Sequence, residues 1–170
     1  MRIIGIDPGY AIVGFGIIEY DNGRYKTIDY GAITTMAGDN FNLRLRTIYE
    51  DSCTVLDRYK PECMAIERLY FQNNQKTAID VAEARGVILL AAAQRGISIH
   101  EYTPLEVKKA ITGYGQAVKK QVQEMTRRVL ELSEIPKPDD TADALAMAIC
   151  HAHTSSSSLT RYQKNSLKGR

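Results

Sequence analysis

Two short apolar runs in this chain end in a carboxylate, and a third apolar segment begins with a pair of them. Asp7 closes Ile3-Ile4-Gly5-Ile6, Glu67 closes Met64-Ala65-Ile66, and Asp140 and Asp143 open Ala144-Leu145-Ala146-Met147-Ala148-Ile149. An ionised carboxylate beside a core is unfavourable unless it is paired or coordinates a cation. The fold must therefore carry these groups to a place that supplies counter-charge. If the two strands are neighbours and the helix end lies over them, all four acids converge. Convergent acids without basic partners repel one another. The natural remedy is a hard divalent cation such as Mg2+, which prefers carboxylate oxygen and water.

The rest of the chain gives that arrangement a frame. At 170 residues it is long enough for one well-buried core and short for two. Residues 2–7 and 13–20 read as strands, and the Asp21-Asn22-Gly23 turn predicts an antiparallel hairpin with a third strand over 24–34. Apolar spacing predicts a helix over 41–59 that ends before Pro61, then a buried strand over 63–67. Residues 76–95 read as a helix stopped by Gly96, residues 97–102 as a fifth strand, and 104–110 as a short helix with Pro104 in its first turn. A longer helix is expected over about 117–132. Pro136 and Pro138 then precede a last helix over 140–153. Together these give one mixed-sheet α/β domain over residues 1–153, followed by a basic, Ser-rich tail, 154–170, expected to be disordered.

Composition narrows the function classes. The net charge of +2 says little about partners, and no run approaches a membrane span. Arg2 leads straight into the first strand, so no secretory signal is expected. Cys53, Cys63 and Cys150 are odd in number and lack metal-ligand spacing, which reads as reduced core thiols in a cytoplasmic protein.

Asp140 and Asp143 are three residues apart, so on a helix they differ by roughly 60° and can face one ion. Each acid also has a plainer reading. Asp140 could simply cap its helix, and Asp7 before Pro8-Gly9 could form a turn. Glu67 is harder to dismiss, since Glu is a poor strand residue. A carboxylate-held Mg2+ site has no oxidising power, and two ions about 4 Å apart would stabilise the attacking and leaving oxygens of a phosphodiester. Hydrolysis or transfer at phosphate is the expected chemistry.

Between Leu105 and Arg128 the basic residues Lys108, Lys109, Lys119, Lys120, Arg127 and Arg128 face only the acids Glu106 and Glu124. This is either a phosphate-facing surface or an ordinary solvated face. The turn at Gly113-Tyr114-Gly115 lies between them; it would let backbone approach DNA or merely joins two helices. Tyr70-Phe71 opens the polar stretch Gln72-Asn73-Asn74-Gln75, where aromatics either anchor the loop or stack on bases.

With these motifs in order, the chain resembles the RuvC family of Holliday-junction resolvases. Gly5-Ile6-Asp7-Pro8-Gly9 with Gly14-Phe15-Gly16 matches the family's opening. Ala65-Ile66-Glu67, Tyr70-Phe71 with Asn74, and Ala84-Arg85-Gly86-Val87 match its middle, and Asp140-Thr141-Ala142-Asp143-Ala144-Leu145-Ala146 with His151 and His153 its last motif. The resemblance implies an α/β, ribonuclease-H-like mixed five-stranded sheet flanked by helices. It also implies a homodimer, and Mg2+-dependent nicking, with Mn2+ as substitute, of two opposing strands of a four-way DNA junction. The family's four catalytic acids fall on Asp7, Glu67, Asp140 and Asp143, with Asp139 left as a solvated or capping residue. Lys108 and Lys119 align with lysines that contact DNA or act near the scissile phosphate, and Lys120 is grouped with them. Tyr70 stands where the family commonly has a stacking Phe, so either Tyr70 or Phe71 has that role. A branch-migration helicase complex is the implied partner. The helix over 76–95, with its alanines and Gly86, is either the dimer contact or core packing within the monomer. His151 and His153 are expected at a helix end, and His100 has no assigned role. Two other classes remain open: a non-catalytic junction-binding protein, and an actin-like or sugar-kinase-type phosphate-binding fragment, for which 170 residues leave no second half.

Overall fold

The computed structural model describes residues 1–69 and 75–167. Within them the elements run β1 (Arg2–Asp7), β2 (Ile12–Asp21), β3 (Arg24–Thr34), α1 (Phe41–Tyr59), β4 (Cys63–Glu67), α2 (Gln75–Ala93), β5 (Ser98–Tyr102), α3 (Pro104–Thr112), α4 (Lys119–Val129) and α5 (Asp139–Leu167). The strands form one mixed sheet in the order β3-β2-β1-β4-β5. β1, β2 and β3 pair antiparallel, whereas β4 lies parallel to β1 and β5 parallel to β4. The β2–β3 hairpin turns at Asn22 and Gly23, both at positive φ (47° and 87°), the conformation that suits a tight two-residue hairpin. Among the described residues no helix is long and apolar enough to cross a membrane.

Strand alternation divides the core into two layers. Ile4, Ile6, Val13, Ile17, Ile33, Met64 and Ile66 pack towards α1 and α2. Ile3, Ile18, Cys63, Ala65 and Tyr102 pack on the other face with α3, α4 and α5. Side chains two apart share a face, so Asp7 is in phase with Ile3 and Gly5, and Glu67 with Cys63 and Ala65. Both acids are thereby delivered to the α5 side.

α5 lies unusually close to that face. A Cβ on Gly5 would stand 1.9 Å from the Ala144 carbonyl oxygen, and one on Gly14 would stand 2.0 Å from that of Asp140. On the helix side Ala142, Ala144, Ala146 and Ala148 are all buried. Thr141 ties the helix start to β3 through a hydrogen bond from its hydroxyl to the Gly31 carbonyl at 3.2 Å.

α5 also continues to Leu167, beyond the end expected at His153. The start of the segment expected to be disordered instead bonds back along the helix through its hydroxyls: Thr154 to the Cys150 carbonyl, Ser155 to that of Ala152 and Ser156 to that of His153. No Pro or Gly interrupts the segment before Gly169. His151 is consequently mid-helix and buried rather than terminal. Its Nδ1 shares a 2.7 Å hydrogen bond with the Tyr102 hydroxyl, and its ring stacks on His100 at 4.2 Å. Burial, reinforced by His100, lowers the His151 pKa to about 4.

Gly5→Ala should lose at least about 1–3 kcal/mol of stability by overpacking, read as a lower urea midpoint. Gly38→Ala, where a Cβ meets nothing within 4 Å, should be near neutral. For His151 the unfolded value of 6.5 exceeds the folded one of about 4, so between these values the unfolded chain binds the extra proton. Stability is complete above pH 6.5 and falls by up to about 3 kcal/mol as pH drops towards 4. Urea titrations should show this acid sensitivity reduced in His151→Asn, whatever opposing contribution the carboxylates make to both proteins.

Candidate active site

Asp7 and Glu67 end adjacent parallel strands whose register places Ile6 beside Ile66, at a strand spacing of about 4.8 Å. Asp7 pairs with Gly14 across the β1–β2 ladder, and the first turn of α5 lies directly on Gly14. Asp140 and Asp143 are therefore held over the ends of β1 and β4. Four acids from three elements meet at one end of the sheet because alternation sets the face and glycine sets the distance.

A cavity of about 230 Å³ opens there, lined by Asp7, Glu67 and Asp143 together with Lys108 and Lys119. Its floor is apolar, from Val107, Val122, Ala146 and Met147. Asp140 is not among the lining residues, yet its charge still bears on Asp7. The Asp7 carboxyl is raised from 3.8 to about 7, chiefly by burial and then by Asp143, Glu67 and Asp140, against a small opposing effect of Lys119. Glu67 is likewise raised by burial and by Asp143. Burial also raises Asp143, and outweighs the lowering effect of its hydrogen bond from Lys119.

Lys119 is the basic partner within reach. Its Nζ lies 3.0 Å from Asp143 and 3.3 Å from Asp139. Burial alone would lower the Lys119 ammonium, but its contacts with Asp143 and Asp139 carry it above its ordinary value. Asp139 is thus exposed, as expected of a residue outside the acid set, and ion-paired as well. Lys108 lines the same cavity, whereas Lys120 lies in a separate recess between α3 and α4 with Tyr114, Glu124 and Arg128. Tyr70 and Phe71 lie outside the described residues.

The donor set suits a hard cation: oxygen ligands only, excess negative charge and an open mouth. Among the described residues no trio of His, Cys, Asp or Glu already closes around a single point.

Arg85 stands in the Ala84-Arg85-Gly86-Val87 motif, which by itself assigns it no role. In the fold its Nε donates to the Glu67 carbonyl oxygen at 3.1 Å, directly behind the cavity. The available signal was a guanidinium at the head of the apolar run from Gly86 to Ala93.

Comparison with known proteins follows the same lines. The sequence profile of the crossover junction endodeoxyribonuclease RuvC family matches residues 3–151. The chain belongs to the RuvC family. It is 54% identical over 166 residues to the RuvC of Caldicellulosiruptor saccharolyticus, covering 97% of this chain and 99% of that one. With the Clostridioides difficile RuvC it shares 54% over 154 residues, 91% of each chain. The structure of Thermus thermophilus RuvC in complex with a Holliday junction substrate superposes with a TM-score of 0.86 at 33% identity, covering 91% of this chain and 94% of that one. The ribonuclease-H-like sheet expected from the resemblance is the one observed.

Because the acids repel in a half-buried site, Asp7→Asn should raise the melting temperature in EDTA. Millimolar Mg2+ should stabilise the parent chain and leave the variant nearly unmoved. Thermal unfolding with and without Mg2+ measures both effects.

Proposed function

We propose that this RuvC-family chain resolves Holliday junctions in recombination and repair by metal-dependent nicking of two opposing strands, one per subunit of a homodimer. The observation that carries the reading is the meeting of Asp7, Glu67, Asp140 and Asp143, from three distant segments, in and beside one cavity that also holds Lys108 and Lys119. A protein that only bound junctions would need the basic surface and would have no use for a destabilising cluster of acids.

In this reading the four carboxylates would hold Mg2+, with Mn2+ as substitute. The bound ions would supply charge stabilisation and a more acidic water for in-line attack at phosphorus. The chain's own groups do the remainder. Lys108 and Lys119, which line the same cavity as the acids, meet the negative charge that grows on the non-bridging phosphate oxygens. Lys119 can exchange its contact with Asp143 for the phosphate without leaving the cavity wall. The apolar floor limits water at the reacting centre and strengthens each of these interactions. Tyr70 or Phe71, three and four positions after Glu67 in sequence, would stack on bases opened at the junction centre, and Lys120 would contact the phosphate backbone further out.

The dimer contact is assigned to α2. Ala84, Ile88, Ala91 and Ala92 face the core, while Ile79 and Leu90 on another side of the helix are 63% and 50% exposed. Between them a Cβ on Gly86 would meet nothing within 4 Å, which leaves room for a second backbone. Two-fold symmetry of the enzyme then matches the two equivalent strands of a junction. A cytoplasmic location and delivery of the junction by a branch-migration helicase complex complete the proposal.

A synthetic four-way junction and a linear duplex of the same sequence test it. The chain should nick the junction symmetrically in Mg2+ and leave the duplex intact, and EDTA should abolish cutting. Asp7→Asn should bind the junction and cut it at least about a thousandfold more slowly, on the scale of removing a catalytic group. Leu90→Glu should be monomeric by light scattering and lose paired cutting. Equal cutting of both substrates would remove the structure-selective reading.

A further inference from the structure

Arg85 sits on α2, on the opposite face of the sheet from the catalytic cavity, and its side chain is only 14% exposed. Its guanidinium makes two contacts in different directions: Nε donates to the Glu67 carbonyl oxygen at 3.1 Å, and Nη2 donates to Glu101 Oε1 at 2.7 Å. Glu101 lies on the same sheet face, since His100 and Tyr102 on either side of it point towards α5. Its second oxygen accepts from Arg68 Nε at 3.2 Å. The Arg68 backbone N–H meanwhile donates to the Tyr102 carbonyl at 2.9 Å.

The carbonyl of Glu67 and the N–H of Arg68 belong to one planar peptide unit. Both of its polar atoms are therefore held, the oxygen by a side chain from α2 and the nitrogen by β5. Fixing that plane fixes ψ of Glu67, and with it the direction in which the last side chain of β4 leaves the strand. Asp7 and Asp143 already repel the Glu67 carboxylate. A strand end free to rotate would let Glu67 swing away from them; this one is restrained.

We propose that Arg85 is a positioning residue for the nuclease reaction: through the Glu67–Arg68 peptide and Glu101 it holds Glu67 at the angle that metal and phosphate require. The inference deepens the catalytic reading and rests on Glu67 being one of the metal-holding acids. Arg85 is not among the residues that line the cavity. The guanidinium matters for its geometry, because a lysine ammonium can replace one of its contacts and cannot span both.

The test uses full-length Arg85→Lys, Arg85→Gln, Glu101→Gln, Glu67→Gln and the Glu67→Gln/Arg85→Gln double variant. Three quantities are read: single-turnover nicking rate, junction Kd in EDTA, and the Mg2+ concentration giving half of the maximal thermal stabilisation. Arg85→Gln should nick roughly tenfold or more slowly, since small misplacements of a catalytic group carry losses of this order. Its junction Kd should be unchanged and its Mg2+ midpoint several-fold higher. Arg85→Lys, which keeps the pair with Glu101 and hence the fold, should shift rate and midpoint in the same direction, as should Glu101→Gln. In the Glu67→Gln background Arg85→Gln should leave the Mg2+ response unchanged. Parent-like nicking and Mg2+ midpoints in both Arg85 variants would overturn the proposal, as would a loss of junction binding in step with the loss of nicking. Parent-like nicking by Glu67→Gln would remove the catalytic reading itself, and is distinguishable because it appears with Arg85 intact.

Discussion

The close seating of α5 on the sheet is the constraint on which the rest depends. It exists because Gly5 and Gly14 leave no Cβ where the helix backbone passes, and because the helix answers with buried alanines. Interiors are packed to near-crystalline density and do not yield to an extra methyl group without rearrangement. The distance from β1 to the first turn of α5 is accordingly fixed by side chains that are absent or small. That distance decides whether Asp140 and Asp143 stand beside Asp7 and Glu67 or an ångström or more too far away.

The seating has an electrostatic consequence. Half-buried carboxylates of like charge raise one another's pKa, and Asp7 at about 7 is the extreme case. Such a cluster stores unfavourable energy in the fold, offset by burial elsewhere and partly relieved by Lys119. Strain of this kind is expected where a site must hold a cation or a reacting phosphate. The same lysine that moderates the repulsion stands on the cavity wall where phosphate would arrive, so one side chain serves the resting fold and the proposed reaction in turn. On the reverse face of the sheet, Arg85 and Glu101 restrain the main chain from which Glu67 projects.

Much of this could be read along the chain. The strands, the Asn22-Gly23 hairpin and α1 fall within a residue or so of their expected bounds, because each is marked by local signals: alternation, a turn dipeptide, a 3.6-residue period. The acid set was legible because charge at the end of an apolar run demands an explanation. The misses have a common origin. The Ser-rich segment after His153 was expected to be disordered, yet the hydroxyls of Thr154, Ser155 and Ser156 bond to carbonyls one turn back, a choice the surrounding helix makes possible. His151 was taken as terminal and is instead a buried partner of Tyr102. Arg85 carried no role because its partners lie 18 and 16 residues away.

The amino-acid sequence alone determined which residues could form each element and which face of each strand an acid would occupy, since those follow from periods of two and 3.6 residues. It also carried the expectation of a divalent cation at the cluster, since carboxylate oxygens are ligands of hard cations. Only the tertiary structure decided that Lys119 pairs with Asp143, that Lys108 shares the cavity while Lys120 does not, and that the peptide after Glu67 is gripped from both sides. These are relations between segments far apart in the chain. Helix placement on the sheet sets them, and no local period encodes it.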